Sequence, residues 1–337
     1  MTGPWIDNLA TLAIVSAIGL FVARSKRQPL WAEAYRRLAR NRLAKSALVA
    51  ICLYGLVGLL DSLCFTDPAT HQPRSVLDKL FDRPLEATYS APLASTTIAE
   101  AHPRRLNAPR GHLLGTNGVG EDVLYKTLKG CRTALIIGGL TSIIAVPLAL
   151  LLGLSAGFFG KLTDDAVQYT YTVFASVPDI LLLIALVLVL GRGLPQICLA
   201  LGVTSWVPLC RLVRGETLKH RDREYVRAAR ALGAGNARLL VRHILPNLLP
   251  VVMISALLGF SSFILYEAIL SYLGVGVGED VGSWGNMIDS ARTELSRDPV
   301  IWWNLVPATV ALFGLVLSLN IFGDALRDAI DPRLRSS

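Results

Sequence analysis

Few residues of this 337-residue chain have the types and spacing that chemistry requires. The segment Gly157-Phe-Phe-Gly-Lys-Leu-Thr163 is similar to a phosphate-binding loop, which has the pattern G-x-x-x-x-G-K-[ST] after a strand. Ser155 stands where the pattern requires its first Gly, and Leu162 stands where it requires Ser or Thr. The segment also ends an apolar run instead of following a strand. We therefore expect no nucleotide to bind there.

The residue types that bind metals or act as nucleophiles also lack a functional pattern. The chain has five histidines and five cysteines, but no histidine pair has metal-ligand spacing on a helix and no cysteines form C-x-x-C. No Ser-His-Asp or Cys-His arrangement is evident in the polar loops. We expect no catalytic residue and no metal site. The cysteines are expected to act as small apolar side chains, with a Cys64–Cys131 bridge as the alternative.

Three polar residues, Asp179, Glu267 and Asn320, lie inside long apolar segments. A charge at such a depth in a bilayer is costly and usually faces the interior of a helix bundle or water. Each residue therefore either lines a pathway or hydrogen-bonds another helix, and the second interpretation is favoured for all three. Asp179 follows Pro178, where a helix kink would open backbone groups to a cavity.

The composition indicates which elements hold these residues. Hydrophobic residues make up 53% of the chain, charged residues only 17%, and the mean hydropathy is +0.49. The apolar residues form continuous runs of about 20, the length at which a helix spans the hydrocarbon core. Such runs lack the alternation of a β-barrel. The net charge of +8 lies mostly between these runs, which argues against nucleic-acid binding. The sequence predicts an all-α, polytopic transmembrane bundle.

Seven segments are predicted to cross the membrane, one N-terminal anchor and six core helices: 6–23, 47–65, 132–158, 166–191, 194–212, 247–274 and 302–323. The anchor is expected to remain uncleaved, since its basic residues follow the apolar run and no small-residue cleavage site is evident. We divide the chain into 1–45 (anchor and basic segment), 46–130 (first core span, polar loop and interfacial helix) and 131–337 (main membrane domain).

The charges of the loops predict the orientation. Segments 24–45 and 211–243 are strongly basic, and segment 276–300 is acidic. By the positive-inside rule the first two face the cytoplasm and the third faces outward. Seven crossings then place the N-terminus outside and the C-terminus inside.

Two polar stretches precede the third predicted span. Residues 66–112 are expected to form an external loop, which either caps a pore and touches a partner or is irregular and makes no contacts. The glycine-rich segment 112–130 continues with apolar residues at helical spacing, which predicts a short amphipathic helix at the membrane interface, starting near Glu121 and Asp122.

The cytoplasmic segment 222–246 is too regular to be a linker. Residues 223–232 are strong helix formers with Asp222 as a candidate cap, and Gly233 and Gly235 can end the helix in a left-handed conformation. A second helix is predicted from about Asn236, with a break at Pro246 before the next span. The small side chains of the first helix make a shallow surface that another protein could receive closely.

This segment resembles a known motif. The spacing of Ala228-Ala229, Gly233 and Leu245-Pro246 is similar to the EAA loop of ABC importer permeases, and most similar to the second-permease "C" type of the dipeptide/oligopeptide/nickel family. Further stretches carry the same resemblance, which covers roughly residues 30 to 337: Leu113–Thr116, Gly120–Val123, Leu273–Gly276, Ser283–Met287 and Gly323–Arg335. The chain departs from the general pattern at Arg227, His243 and Glu121, where the family has Glu, Ile and Arg; the first two changes also look usual for the peptide branch.

The resemblance implies a type I ABC importer permease fold in the bacterial inner membrane, with residues 131–337 as the permease domain. Its coupling loop, 213–246, would dock on an ATPase subunit through Glu224, Arg227, Ala228, Ala229, Leu232, Gly233, Asn236 and Pro246. The implied partners are a second, homologous permease, two ATPase subunits, an extracytoplasmic substrate-binding protein and membrane lipid. ATP and Mg would be bound by the ATPase subunits, with no cofactor and no enzymatic activity in this chain.

Three alternatives stay open from the sequence. The substrate is expected to be a di- or oligopeptide, and the same family also imports nickel or other metal chelates. An ion-driven secondary transporter would need paired membrane carboxylates and internal repeats. A membrane scaffold without transport would leave the docking loop unexplained.

Overall fold

The computed structural model describes residues 8, 16, 29–67, 73–81, 84–98, 104–108, 111–278 and 281–330. These residues form thirteen α-helices: α1 (Pro29–Leu38), α2 (Arg42–Ser62), α3 (Val76–Leu80), α4 (Val123–Phe159), α5 (Lys161–Ala175), α6 (Asp179–Leu190), α7 (Leu194–Thr204), α8 (Val207–Arg221), α9 (Glu224–Ala231), α10 (Asn236–Arg238), α11 (Leu245–Tyr272), α12 (Trp284–Glu294) and α13 (Leu305–Ile330). A π-helical segment, Leu239–Ile244, joins α10 to α11, and the short strands β1 (Cys64–Thr66) and β2 (Pro73–Ser75) form an antiparallel hairpin.

The helices reproduce the six predicted core spans. Five helical stretches of the described chain are long and apolar enough to cross a membrane, and a sixth is supplied by the bent pair α5 and α6. The five are Arg42–Ser62, Val123–Phe159, Leu194–Arg221, Asn236–Tyr272 and Leu305–Ile330. The predicted anchor 6–23 lies outside the described residues, apart from Asn8 and Ser16.

The predicted single span 166–191 is wrong in one respect, because the helix breaks in its middle. Helices α5 and α6 meet at an angle of 86° across Ser176, Val177 and Pro178. Pro178 is the N-cap of α6 and has no N–H to continue the hydrogen-bond ladder of α5. The kink predicted near Pro178 is thereby confirmed.

The predicted separate interfacial helix is also wrong, because α4 runs without interruption from Val123 to Phe159. Asp122 starts it, since its carboxylate accepts hydrogen bonds from the N–H groups of Leu124 (2.8 Å) and Tyr125 (3.2 Å). Gly130 does not break the helix and instead admits the indole of Trp284, which would lie 2.4 Å from an added Cβ. Close packing explains this glycine better than a helix end does.

The chain forms two compact units. The first comprises Met1–Ile136 and Glu267–Ala325. Its interior is rich in polar groups. His112 is 1% exposed and lies between two carboxylates, with Nδ1 2.9 Å from Asp122 and Nε2 3.3 Å from Glu86. Tyr89 donates to Glu294 at 3.0 Å, and burial raises the pKa of this tyrosine.

The polar segment after the first core span is closely packed in this unit. The indole of Trp303 donates to the carbonyl of Thr116 at 2.9 Å, and Thr116 itself is fully buried. An added Cβ on Gly115 would lie 2.3 Å from the carbonyl oxygen of Ser90, so there is no room for a side chain at this position. Gly115 also has a φ of +75°, which glycine adopts without strain. The alternative of an irregular loop without contacts is therefore wrong for the described residues. Cys64 and Cys131 are both free thiols.

The second unit comprises Ile137–Tyr266 and Leu326–Ser337. Its apolar core has two clusters. One joins the end of α4 to α5 and α8 and includes Ala156, Val167 and Cys210. The other joins α4 and α8 to the part of the chain that runs from α9 to the start of α11, and it includes Phe158 and Val213. The second cluster holds the candidate site.

Candidate functional site

The predicted docking loop forms a helix, a turn and a second helix. Helix α9 spans Glu224–Ala231, and α10 begins at Asn236. The predicted cap is wrong, since Arg223 is the N-cap of α9 and Asp222 ends the preceding helix α8. The carbonyl of Asp222 instead accepts a hydrogen bond from Arg227 Nε at 3.1 Å.

The end of α9 has the geometry of a Schellman motif. The N–H of Ala234 donates to the carbonyl of Ala229, and the N–H of Gly233 donates to that of Arg230. Gly233 has a φ of +84°, so the predicted left-handed position is confirmed there. It is wrong for Gly235, whose φ of −68° is that of an extended N-cap. The turn thus depends on one glycine.

A single face of α9 fixes the loop to the unit. Val226 is fully buried and packs in the cluster that contains Phe158 and Val213. Leu239 and Ile244, from the helix after the turn, are fully buried in the same cluster. The guanidinium of Arg230 lies 5.7 Å from the ring centroid of Phe158, at a cation–π distance. The loop is therefore packed against the ends of α4 and α8.

The opposite face of the loop is exposed. Leu232, a large apolar side chain, is 89% exposed at the tip. Seven of the eight residues that the resemblance implies for docking are exposed, and the eighth, Ala229, is half-buried: Glu224, Arg227, Ala228, Leu232, Gly233, Asn236 and Pro246. The face combines small side chains, one large aliphatic residue and arginine charge, and such a surface can bind a complementary groove.

The second helix continues into the membrane span, so the predicted break at Pro246 is wrong. Residues Leu239–Ile244 adopt a π-helix, and α11 follows directly from Leu245. Pro246 offers no N–H, and the π-helical hydrogen bonds accommodate this loss without ending the helix.

A polar contact joins the two sides of the loop. The hydroxyl of Tyr225 lies 2.8 Å from His220 Nδ1, at the end of α8, and receives a hydrogen bond from Asn247 at 3.4 Å. Burial raises the pKa of Tyr225, so its hydroxyl stays protonated at neutral pH. Helix α9 is thereby tied to the helices on both sides of it.

The three polar residues of the apolar segments have different surroundings. Glu267, in the first unit, is 3% exposed and accepts hydrogen bonds from the hydroxyls of Ser271 (2.8 Å) and Ser283 (2.7 Å). Asn320, also in the first unit, is half-buried on α13. Asp179, in the second unit, is exposed at the start of α6 and receives a hydrogen bond from Tyr266 at 3.3 Å.

Sequence reasoning missed two features of this site. The first is Val226, the one buried side chain of α9, and its signal was an aliphatic residue within the polar stretch 222–227. The second is an ion pair between Asp164 on α5 and Arg214 on α8. These residues are 50 positions apart, and nothing in the sequence pairs them.

Comparison with known proteins supplies the family. Residues 149–336 match the family described as "Binding-protein-dependent transport system inner membrane component". The chain is 31% identical over 309 residues to the oligopeptide transport system permease protein OppC of Bacillus subtilis (strain 168), with 91% of this chain and 90% of that protein covered. It is 36% identical over 225 residues to the di/tripeptide transport system permease protein DppC of Pseudomonas aeruginosa (strain UCBPP-PA14), with 67% of this chain and 73% of that protein covered.

A solved structure agrees on the fold. The inward-facing MetNI methionine ABC transporter, in its CY5 native crystal form, matches with a TM-score of 0.50 at 19% identity, covering 63% of this chain and 99% of that chain. The match shows that the all-α bundle has the fold of ABC importer permeases. The chain therefore belongs to the family of binding-protein-dependent transport system inner membrane components and is a multi-span permease subunit of an ABC transporter.

Proposed function

We propose that this chain moves di- and oligopeptides into the cytoplasm, driven by ATP that separate ATPase subunits hydrolyse. The observation that carries the proposal is the coupling loop: a buried anchor at Val226 and an exposed docking face from Glu224 to Asn236. The relatives named above are peptide permeases, which supports peptides over nickel or other metal chelates.

The complex would contain three kinds of protein partner, within membrane lipid. A second, homologous permease completes the pathway, two ATPase subunits bind ATP and Mg below the membrane, and a binding protein outside delivers the peptide. The basic segments 24–45 and 211–243 support an orientation with the N-terminus outside and the C-terminus inside. The segment 84–122 would then face the binding protein's side.

The mechanism is transmission of motion. ATP binding closes the ATPase dimer, the exposed face of α9 follows its groove, and the helices anchored to it shift between inward and outward access. ATP biases that equilibrium only through its different affinity for the two states. Within the bundle, Glu267 would hold helices together through Ser271 and Ser283, since its carboxylate is enclosed. Asn320 would pack helices too, and the exposed Asp179 would face the pathway.

A single substitution on the docking face tests the proposal. Ala228 is exposed, whereas Ala229 is half-buried and packs on the loop's own cluster, so Ala228→Glu perturbs docking without perturbing the fold. We expect the assembled complex to lose its ATPase subunits on purification and ATP-dependent dipeptide uptake to fall by more than about tenfold, a loss of about 1.4 kcal/mol or more of binding.

The controls separate docking from other causes. Ala228→Ser keeps a small side chain and should transport normally. Normal uptake and normal ATPase recovery in Ala228→Glu would refute the coupling role. Uptake into vesicles that persists when ATP is depleted, with the proton gradient held constant, would instead indicate an ion-driven transporter.

A further inference from the structure

Helix α5 lies along α8 and contacts it through most of its length. Asp164 forms an ion pair with Arg214, Tyr171 stacks under the guanidinium of Arg211 at 4.6 Å, and Phe174 meets Trp206 edge to face at 5.7 Å. The residue numbers rise along α5 while they fall along α8, which is the order of antiparallel neighbours. The two helices are joined by side chains one to two turns apart.

The ion pair fixes the orientation of the two helices. The Arg214 guanidinium is bidentate: Nε contacts one oxygen of Asp164, and Nη2 contacts the other at 2.7 Å. The side chains of Arg214 and Asp164 are only 22% and 16% exposed. Gln168 adds a third hydrogen bond to the carboxylate, at 3.1 Å. A bidentate fork restricts geometry more than a single charge contact does, so sliding or rotation of α5 against α8 would break it.

Helix α8 also packs closely against α4. An added Cβ on Gly153 would lie 2.8 Å from the carbonyl oxygen of Cys210, and one on Gly157 would lie 2.6 Å from Thr217. Glycines four residues apart allow two membrane helices to approach at backbone contact distance. Arg221 closes the same contact by donating to the carbonyl of Gly157 at 3.3 Å.

The packed helices α5 and α8 have the coupling helix at one end and the bend 176–178 at the other. At one end α8 leads, two residues later, into the coupling helix α9, whose Val226 packs with Val213 of α8. At the other end α5 stops at the bend 176–178, immediately before the exposed Asp179. The residues 175–181 around the bend are all exposed, so the chain can hinge there.

We infer that Asp164 and Arg214 are positioning residues for transport: their ion pair makes α5 move with α8, so that displacement of the coupling helix reaches the bend before Asp179. The inference rests on the proposed coupling function and adds the route by which the motion enters the bundle. Without the pair, the ATPase subunits still dock on α9, but α5 no longer follows.

The test uses the assembled transporter in liposomes, with dipeptide uptake and ATP hydrolysis measured together. Asp164→Asn and Arg214→Gln should each lower the number of peptides moved per ATP by about tenfold, within the range of typical coupling free energies, while ATP hydrolysis and recovery of the ATPase subunits persist. The exchanged pair, Asp164→Arg with Arg214→Asp, should restore the ratio. The matched control is Glu216→Gln, which removes the ion pair with the exposed Lys219 within α8 and should change nothing.

A cross-link decides the case if a variant folds poorly. Cysteines at 164 and 214, in a background without the native cysteines, joined by a short bifunctional thiol reagent, should leave transport intact, since α5 and α8 are inferred to move together. Loss of transport on cross-linking, or a normal transport ratio in well-folded Asp164→Asn, would overturn the inference. If Ala228→Glu also transported normally, the coupling function itself would fail; if only the ion-pair variants did, the route alone would.

Discussion

A single methyl group at the turn of the coupling loop should reveal how far that turn depends on glycine. Gly233 has a φ of +84° and open space around its Cα, so Gly233→Ala introduces backbone strain without a clash. An L-residue in the left-handed region costs about 1–2 kcal/mol, and the reduced freedom of the unfolded chain recovers about 0.4–1 kcal/mol. The net loss is about 1 kcal/mol, roughly a fivefold increase in local opening.

Gly235→Ala is the matched control, two residues away in the same turn. This glycine also has open space around it, but its φ of −68° suits any residue. The gain of about 0.4–1 kcal/mol from the unfolded chain is offset by a similar loss at the N-cap, so the net change is about zero.

Hydrogen–deuterium exchange of residues 224–240 in detergent measures the difference between the two variants. The amides of Leu232 and Ala234, which donate to carbonyls of α9, should exchange about fivefold faster in Gly233→Ala and at the parent rate in Gly235→Ala. Transport should fall in the same order, because a frayed α9 presents its face less often. Equal exchange in the two variants would refute the assignment of the turn to Gly233.

Two further predictions concern carboxylates of the first unit, the buried Glu267 and the half-buried Asp78. Glu267→Ala should lower the unfolding temperature, because the hydroxyls of Ser271 and Ser283 lose this acceptor, at a cost of about 1–3 kcal/mol of folding free energy. Glu267→Gln keeps an acceptor and should be nearly silent. A changed peptide preference in Glu267→Gln would instead place Glu267 in the pathway. Burial opposes the charge of Asp78, but hydrogen bonds from Lys129, Tyr125 and Ser75 prevail and lower its pKa to about 2. A lowered pKa stabilises the folded state at pH values above the ordinary aspartate pKa of about 4, so Asp78→Asn should cost about 1 kcal/mol of folding free energy at pH 7 after solvent screening. The difference in stability between the parent protein and Asp78→Asn should close as thermal unfolding is followed from pH 4 toward pH 2, and a difference that persisted would count against this account.

The sequence predicted the features that depend on local chemistry. The lengths of the apolar runs fixed the six core spans, and the left-handed preference of glycine identified the end of α9 at Gly233. The exposed surface of α9 followed from its pattern of small and charged side chains. These signals lie within a few residues of the structure they describe, so no tertiary information is needed.

Features that depend on distant partners were not predictable in this way. The indole of Trp303 reaches a carbonyl 187 positions away, and Trp284 fills the space above Gly130. The first contact holds the polar segment before α4, and the second packs the start of α12 against α4. The surroundings of His112 were not predictable either, because its two carboxylate neighbours come together only after folding.

The two prolines at the predicted helix breaks show why local sequence is insufficient. Each removes the same N–H from the helix ladder, yet the chain bends by 86° at Pro178 and continues as a helix at Pro246. Burial distinguishes them: Ile244 and Leu248 are buried on both sides of Pro246 and hold the helix in line through a π-helical turn. No residue from 175 to 181 is buried, so packing among the described residues does not oppose the bend at Pro178. A proline therefore permits a bend, and packing decides whether one forms. In this permease the bend lies where helix α5 ends.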